Sequence, residues 1–381
     1  MELRSDSDGF LITGKVPVLI PEQVKQFTQT ALGARTTREL DPHLTHNALV
    51  RGTASGILAI DIGGDKLISA PYEIREGELG PKQAPVVLQS EGGRGYVEHL
   101  EKLAGDARRD RLRVGISFAG PTEGTRLMGA PNLPALFDDL LDRYDLDLAN
   151  LFPSVALAND AEAGIMAASI EAIKRDRTTQ HIIYIINGSG LGGAVLTRSR
   201  IVACEPGHIE ANPRLNPFNT TKQCGLLGRT HVCLEGIAAS KAGIEDTWLR
   251  ERGESRSGRQ IARLLWNDND LFARNLYDNS ALVTVHAIAG LANAFQIPFD
   301  QTYIVAHGGI FEVPSYRERV RLILKEAGIS PLGSLFTRDF SANACLDGAA
   351  VAAVLKDLCW HESHPDPAHV SYAASWTNLI G

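Results

Sequence analysis

Residues 181–197 read His181-Ile-Ile-Tyr-Ile-Ile-Asn-Gly-Ser-Gly-Leu-Gly-Gly-Ala-Val-Leu-Thr197. Two apolar runs flank a glycine-rich turn, a pattern that predicts a strand, a tight turn and a second strand. Because the turn is almost bare backbone, its amide groups can approach a phosphate group closely. The candidate phosphate-binding residues of this segment are Gly188, Ser189, Gly190, Gly192 and Gly193.

The same pattern occurs about 125 residues earlier, in Ile57-Leu-Ala-Ile-Asp-Ile-Gly-Gly-Asp-Lys-Leu-Ile-Ser-Ala70. A single Gly-Gly hairpin is usually only a hairpin, but its recurrence suggests an internal duplication, with the two hairpins facing each other across a cleft. Asp61, at the entrance of this turn, could hold a magnesium-bound water. Neither hairpin leads into a helix or ends in Gly-Lys-Ser/Thr, so a P-loop or Rossmann site fits poorly. The candidate phosphate-binding residues here are Asp61, Gly63, Gly64, Asp65 and Lys66.

A third stretch, Ala156-Leu-Ala-Asn-Asp-Ala161, delivers an Asn-Asp pair between a short buried strand and a helix. Small apolar residues precede the pair, and strong helix formers at helical spacing follow it. Asp160 is therefore the candidate catalytic carboxylate. The alternative is that Asp160 only caps the helix, but the two glycine turns favour the catalytic interpretation.

Other segments continue the alternation of strands and helices. Residues 114–118 predict a strand that runs into a loop, and Asn132 follows in a turn between prolines. A buried strand is predicted near 303–307, before Gly308 and Gly309, which could form the floor for a nucleotide base or ribose. Helices are predicted at roughly 281–295, 315–327 and 344–361.

The composition is that of an ordinary globular protein, with 44% apolar and 22% charged residues among 381. This length suggests about two or three structural units. The formal net charge of -7 argues against a protein that coats nucleic acid. No apolar run suits a membrane span and the polar start is not typical of a signal peptide, so we expect a cytoplasmic protein without membrane association.

The ends of the chain carry weaker signals. Residues 1–55 have balanced charges, one amphipathic helix predicted at 21–32 and no helix-turn-helix pattern. We expect this extension to pack on the body of the protein or to cover the cleft. The tail at 363–381 contains two prolines and is predicted to be irregular. Three of the five cysteines lie close together, which is more typical of a metal site or free thiols than of a disulfide framework.

With these motifs in place, the chain from about residue 56 to 362 resembles the ROK family, bacterial sugar kinases and related repressors with the actin-like ATPase fold. Residues 61–66 and 188–193 match its two phosphate motifs, and Asn159-Asp160 matches its catalytic pair. Glu205-Pro-Gly-His208 matches its Glu-x-Gly-His sugar element, and Cys233-Leu-Glu235 matches the end of its cysteine element.

The resemblance implies an α/β fold of two duplicated, ribonuclease H-like domains with a central cleft. A first lobe would span 56–170 and regain a helix at 344–362, and a second lobe would span 171–343. ATP with Mg2+ as donor and a homodimer are implied as well. The residues implied to line a sugar pocket are Asn132, Asn159, Asp160, Glu205, His208 and Glu235.

Some of these pocket residues also have structural interpretations. Glu205 could be a surface charge, His208 a core histidine, and Glu235 a carboxylate favoured by a helix N-terminus. For Glu205 and His208 the match to the family motif favours the sugar-binding interpretation.

The chain departs from the family pattern in two motifs. Asp65 stands where the family usually has Thr, and a carboxylate weakens attraction for phosphate unless a cation bridges the two. In the zinc element, Lys222 replaces the first cysteine and residues 229–232 are inserted before Cys233. Either the insertion supplies a histidine to a tetrahedral site, or the element has lost its zinc. The candidate zinc ligands are His208, Cys224, His231 and Cys233.

The leading hypothesis is a kinase that moves the terminal phosphoryl group of ATP to a hydroxyl of a hexose or a related cyclic polyol. Asp160 would accept the hydroxyl proton. Glucose, N-acetylhexosamines, aminosugars and the cyclitols of biosynthetic pathways stay open as acceptors, and polyphosphate stays open as donor. The competing hypotheses are a sugar-sensing transcription regulator of the same family and a catalytically silent sugar-binding protein.

Overall fold

The structure is a computed structural model in which strands and helices alternate along the chain. The residues that it describes are 2–6, 9–13, 37–39, 55–64, 66–89, 91–130, 133–197, 200–220, 224, 231–267, 270–336, 341, 343–356 and 362–363. The strands are β1 (Glu2–Asp6), β2 (Gly9–Thr13), β3 (Thr37–Glu39), β4 (Ser55–Ile62), β5 (Lys66–Arg75), β6 (Glu78–Pro81), β7 (Val86–Gln89), β8 (Arg113–Phe118), β9 (Thr122–Glu123), β10 (Arg126–Leu127), β11 (Val155–Asn159), β12 (His181–Asn187), β13 (Leu191–Thr197), β14 (Arg200–Cys204), β15 (Thr302–His307), β16 (Gly333–Phe336) and β17 (Glu362–Ser363). The α-helices are α1 (Tyr96–Asp110), α2 (Pro134–Tyr144), α3 (Asp160–Arg175), α4 (Glu235–Ala238), α5 (Asp246–Arg252), α6 (Gly258–Asn267), α7 (Leu271–Ala294), α8 (Pro314–Glu326) and α9 (Ala344–Leu355).

The first sheet has the strand order β11-β8-β4-β5-β6, and β7 also pairs with β5. β4 and β5 form an antiparallel hairpin in which Ile62 lies opposite Leu67. β8 runs parallel to β4, and β11 runs parallel to β8. The carboxyl ends of β4, β8 and β11 therefore meet at the sheet edge that carries the first glycine turn.

The second sheet has the order β16-β15-β12-β13-β14, and β3 and β17 extend it beyond β14. β12 and β13 form the second hairpin, β14 pairs antiparallel with β13, and β15 and β16 follow parallel to β12. In both sheets the hairpin is joined by an antiparallel third strand on one side and by two parallel strands on the other. The two sheets share one topology, as expected from the internal duplication that the recurring hairpin pattern predicted.

Helices lie between the two sheets and cover their outer faces. α3 packs on β12, β13 and β14, α9 packs on β4, β8 and β11, and the two helices pack on each other. A central core cluster joins both sheets to these helices and includes Ile57, Ile182 and Val305. α1 and α2 cover the outer face of the first sheet, and α7 and α8 cover that of the second.

Two glycines allow the central helices to approach closely. A Cβ on Gly348 of α9 would lie 1.7 Å from the carbonyl oxygen of Ala163 in α3. A Cβ on Gly164 of α3 would lie 2.2 Å from the phenol of Tyr184 on β12. Real Cβ atoms do not approach backbone or ring atoms so closely, so the two positions exclude side chains. The helix that begins at Asp160 is thus fixed between α9 and the second sheet.

All three helices predicted in the second half are present, but α7 begins at Leu271 rather than near 281. The side chain of Asp270 accepts the amide of Ala273 at 2.9 Å and caps α7 there. Polar residues such as Arg274 and Asn275 interrupt the apolar period in its first turns, which is why the pattern predicted a later start. α9 ends at Leu355, and residues 357–361 lie outside the described residues.

The extension and tail are described only in part. Within the extension, Thr37–Glu39 pairs with β14, whereas the helix predicted at 21–32 lies outside the described residues. Glu362–Ser363 pairs with β3, and the predicted irregular tail beyond it also lies outside them. The boundaries of the two lobes stay predictions. Among the described residues, no helix combines the length and apolar character that crossing a membrane requires.

Candidate active site

The first glycine turn lies at the carboxyl end of β4. The amide of Gly63 donates to the carbonyl of Lys66 at 2.9 Å, which closes a tight turn. Asp61 precedes the turn and accepts a hydrogen bond from Ser117 Oγ at 2.8 Å. Burial raises the pKa of Asp61 to about 6, against the opposing effects of Ser117 and Lys66. Ser117 holds the Asp61 carboxylate beside the turn.

β11 ends at Asn159, and α3 begins at Asp160. Asn159 Oδ1 accepts the amide of Ala161 at 2.9 Å, and the backbone amide of Asn159 donates to Glu162 Oε2 at 3.0 Å. These two bonds form a capping box, which satisfies amides that the first helical turn leaves without partners. Asn159 Nδ2 donates to the carbonyl of Gly120 at 3.0 Å. The cap of α3 is therefore Asn159 and not Asp160.

Asp160 lies close enough to Asp61 for their charges to interact. Burial, followed by the charge of Asp61, raises the pKa of Asp160 to about 7, although its Oδ1 accepts the amide of Ala161 at 2.8 Å. Asp61 lies in β4 and Asp160 directly follows β11, and these two strands are the neighbours of β8. A carboxylate with a pKa near neutrality is suited to accept and release a proton. Two adjacent carboxylates also offer the oxygen ligands that Mg2+ prefers.

Glu205 and Glu235 extend this group of carboxylates. Glu205 follows β14 and precedes the short 3-10 helix Pro206–His208. Its pKa is raised to about 8, first by burial and then by the charges of Asp160 and Glu235. The Glu205–His208 segment thus begins close to Asp160, although 45 positions of sequence separate the two carboxyl groups. Strongly shifted pKa values that share charged neighbours are typical of functional sites.

The second glycine turn joins β12 to β13 and contacts Glu235, the first residue of α4. Glu235 Oε2 accepts the amide of Leu191 at 3.1 Å, and a Cβ on Gly190 would lie 2.8 Å from the same oxygen. Within the turn, the amide of Gly188 donates to the carbonyl of Gly190 at 2.9 Å. Glu235 therefore bonds to the end of the second glycine turn while its charge acts on Glu205.

The other predicted residues of this segment occupy two different positions. Ser189 is exposed at the tip of the turn. Gly192 and Gly193 lie in β13, where they pair with Ile186 and Ile185 across the hairpin. They shape the strand that follows the turn rather than the turn itself.

Gly308 and Gly309 follow β15 beside the second turn. Gly308 has a φ of +114°, and a Cβ there would lie 2.1 Å from the carbonyl oxygen of Asn187, so the position requires glycine. The preceding residue, His307, stacks on Tyr184 with ring centroids 6.4 Å apart. Burial, followed by the charge of Lys66, lowers the pKa of His307 to about 4. Lys66 of the first hairpin thus lies near the end of β15.

Three of the four predicted zinc ligands form a cluster. The ligand atoms of His208, Cys224 and Cys233 lie within 4.8 Å of one another, with Cys224 Sγ 3.3 Å from His208 Nδ1. Two thiols and an imidazole fit zinc. His231 does not join them: its Nε2 lies 3.1 Å from the carbonyl oxygen of His208. Because the amide of Cys224 donates to the carbonyl of His231 at 2.9 Å, the backbone at His231 is fixed beside the cluster.

Two predicted residues, Asp65 and Asn132, lie outside the described residues, so their roles stay predictions. The structure adds Ser117, which donates to Asp61, and Gly120, which accepts from Asn159. Ser117 could have been found from the sequence, because it is polar within an apolar strand end. In the sheet it lies opposite Asp61 on the neighbouring parallel strand.

Comparisons with known proteins agree with this architecture. The model of the ROK family matches residues 57–354. A ROK hexokinase from Thermus thermophilus superposes with a TM-score of 0.55 at 23% identity, over 79% of this chain and 99% of its own. A ROK family glucokinase from Streptomyces griseus, in complex with glucose and AMPPNP, gives 0.56 at 21% identity, over 77% and 97%. A ROK family transcriptional regulator, a homolog of the E. coli MLC protein, gives 0.52 at 18% identity, over 89% and 91%.

The comparison with curated proteins found no match. The similar structures confirm the predicted α/β fold of the actin-like ATPase type.

Proposed function

Because the chain belongs to the ROK family, we propose that it is a kinase that transfers the terminal phosphoryl group of ATP to a hydroxyl of a hexose or hexose-like sugar. The observation that carries this proposal is the linked group of carboxyls formed by Asp61, Asp160 and Glu205, whose pKa values are all raised. The first glycine turn closely follows Asp61, and the second bonds to Glu235, whose charge acts on Glu205.

Asp160 is the proposed general base. Its pKa of about 7 leaves a substantial fraction ionised at neutral pH, and that fraction accepts the proton of the attacking sugar hydroxyl. The capping box made by Asn159 fixes the start of α3, and the amide of Ala161 donates to Asp160 Oδ1, which orients the carboxylate. Removal of the proton makes the hydroxyl oxygen a better nucleophile toward the transferring phosphoryl group.

Glu205 and Glu235 are the proposed ligands of the sugar hydroxyls, together with His208, Asn159 and Asn132. A raised pKa of about 8 keeps Glu205 mainly protonated at neutral pH, so it can donate one hydrogen bond and accept others. Asn159 already uses Oδ1 for Ala161 and Nδ2 for Gly120, so a sugar would share these atoms. Its main contribution is then to hold the loop at Gly120.

Two metal ions are proposed from the chemistry of the ligands. Asp61 offers carboxylate oxygens that could hold Mg2+ or a water bound to it, and such an ion would neutralise charge on the phosphates. His208, Cys224 and Cys233 could hold a structural zinc ion, which would link the Glu205–His208 segment to the segment before α4.

A screen for formation of the phosphorylated acceptor tests the proposed function, because this product is common to both donors. The acceptors are hexoses, N-acetylhexosamines, aminosugars and cyclitols, each with ATP or with polyphosphate as donor. We expect Mg2+-dependent turnover with at least one acceptor, and Asp160→Asn serves as the inactive control. Absence of turnover with every pair, from protein that still binds nucleotide, would contradict the kinase.

The alternative within the family is a sugar-sensing regulator, and one of the similar structures is a ROK family transcriptional regulator. Titration with labelled genomic DNA separates the two functions. Tight retention that weakens steeply with salt would favour the regulator, because phosphate contacts release counterions.

A further inference from the structure

The second glycine turn rests on a buried polar network. Asn187, the last residue of β12, is fully buried directly before the turn. Its Nδ2 lies 3.2 Å from the carbonyl oxygen of Ala238, 3.2 Å from Thr284 Oγ1 and 3.3 Å from the hydroxyl of Tyr316. One amide group thus connects the end of β12 to α4, α7 and α8.

The hydroxyl groups around Asn187 also bond to one another. The hydroxyl of Tyr316 lies 2.8 Å from Thr284 Oγ1 and 3.1 Å from Ser280 Oγ. Ser280 Oγ donates to the carbonyl of Ala238 at 2.6 Å, so this carbonyl is held by both Ser280 and Asn187. All of these side chains are buried. We call Asn187, Ser280, Thr284 and Tyr316 the hydroxyl network.

Residues 235–240 connect the hydroxyl network to both ends of the second glycine turn. Just after Ala238, the amide of Ser240 donates to the carbonyl of Gly188 at 2.8 Å. At the start of α4, Glu235 Oε2 accepts the amide of Leu191 at 3.1 Å. The first residue of the turn and the first residue after it are therefore held by one short segment, and Ala238 fixes that segment to the network.

The turn after β15 shares this support. Gly308 packs so closely on the carbonyl of Asn187 that a Cβ would lie 2.1 Å from its oxygen. A shift of Asn187 would therefore move both glycine segments of the second sheet.

We propose that Asn187 and Tyr316 are positioning residues that hold the second glycine turn in the conformation that binds the phosphates of the donor. This inference rests on the proposed function, because it takes the turn to be a phosphate-binding turn. Backbone donors that are ordered before the ligand arrives bind more tightly, since less conformational entropy is lost on binding. A role in protein stability alone explains the presence of Asn187 less well. Asn187 Oδ1 is buried without a partner among the described residues, a cost that an apolar side chain would avoid.

The test compares Tyr316→Phe with a matched control, Tyr277→Phe. Tyr277 is buried in the same core cluster, with its ring 6.1 Å from that of Tyr316, but its hydroxyl donates to the carbonyl of Gly258 at 2.7 Å. Each change removes one buried phenol hydroxyl, so both variants should lose similar stability. Only Tyr316→Phe removes a group that contacts Asn187.

We expect Tyr316→Phe to raise the dissociation constant of AMPPNP by about five- to tenfold, which corresponds to the loss of one or two neutral hydrogen bonds. Tyr277→Phe should leave it within about twofold. Amide hydrogen exchange over residues 187–191 should become faster in Tyr316→Phe only. Should that variant not fold, Thr284→Val removes the hydroxyl that contacts both Asn187 and Tyr316 while keeping the branched shape.

Equal effects of Tyr316→Phe and Tyr277→Phe on AMPPNP binding and on amide hydrogen exchange would overturn the inference. They would not contradict the proposed kinase function. A wild-type protein that binds AMPPNP but phosphorylates no sugar would instead remove the proposed function, and the two variants would still test the positioning of the turn. A wild-type protein that binds neither AMPPNP nor inorganic tripolyphosphate overturns the inference directly.

Discussion

Asn159 caps the helix that Asp160 begins. Its side-chain oxygen accepts the amide of Ala161 at 2.9 Å, and its own amide donates to Glu162 at 3.0 Å. The start of α3 is therefore capped by Asn159, while the Asp160 carboxylate accepts the same Ala161 amide at 2.8 Å and has a pKa raised to about 7 by burial and by Asp61. An asparagine at position 160 keeps an oxygen that can accept this amide. The chemistry of Asp160 can be tested separately from the stability of the helix.

Asp160→Asn should reduce turnover by about two to four orders of magnitude, because an amide cannot accept the proton. The dissociation constant of the sugar should change much less, since the amide keeps the shape and a hydrogen-bonding group. Steady-state kinetics and calorimetric titration of the sugar measure the two quantities. Asp246→Asn is the control, because Asp246 is the exposed first residue of α5. Retained turnover would remove Asp160 from the mechanism.

Three carboxyl groups should make a contribution to the stability of the ligand-free protein that falls as the pH rises. The pKa values of Asp61, Asp160 and Glu205 are raised to about 6, 7 and 8, so the folded chain binds protons more tightly than the unfolded chain. Their contribution is fully present below about pH 4 and is lost as the pH rises through these three values.

Glu205→Gln should therefore raise the free energy of unfolding at pH 8 by about 1 to 3 kcal/mol and change it little at pH 4. Urea unfolding at the two pH values measures this, with exposed Glu326→Gln as control. An equal effect of Glu205→Gln at both pH values would contradict the predicted dependence of stability on the ionisation of Glu205.

Protein purified without added metal should contain about one zinc ion per chain, bound by the three clustered ligands. Elemental analysis should show that Cys233→Ser loses the metal and that His231→Ala keeps it, because His231 lies against a backbone carbonyl. Zinc that disappears with His231→Ala would restore the four-ligand set expected from the sequence. Wild-type protein without zinc would rule out the site.

Gly164→Ala should destabilise the protein by about 1 to 3 kcal/mol, because its methyl group would overlap the phenol of Tyr184. The control is Gly105→Ala in α1, where a Cβ meets no atom within 4 Å. That change should stabilise by up to about 1 kcal/mol through helix propensity. Urea unfolding of both variants checks the pair, and an unchanged Gly164→Ala protein would disprove the close packing of α3 on β12.

Local spacing in the sequence was enough to predict both hairpins, the strand before Asn159, the helix after it and the family. These features depend on apolar period, on glycine in tight turns and on helix formers, all of which act within a few residues. The recurrence of the hairpin also predicted the duplication, because two copies of one pattern build two sheets of the same topology.

The order of residues along the chain could not show which charges meet in space. The charge of Asp160 acts on Glu205 because the two sheets pack around α3 and α9, and Glu235 bonds to Leu191 because α4 and β13 both pack on the 3-10 helix Pro206–His208. The exclusion of His231 from the thiol cluster and the bonds of Asn187 to Tyr316 likewise depend on contacts between distant segments. Burial and the approach of distant groups, which shift pKa values and select hydrogen-bond partners, arise only when the whole chain has packed.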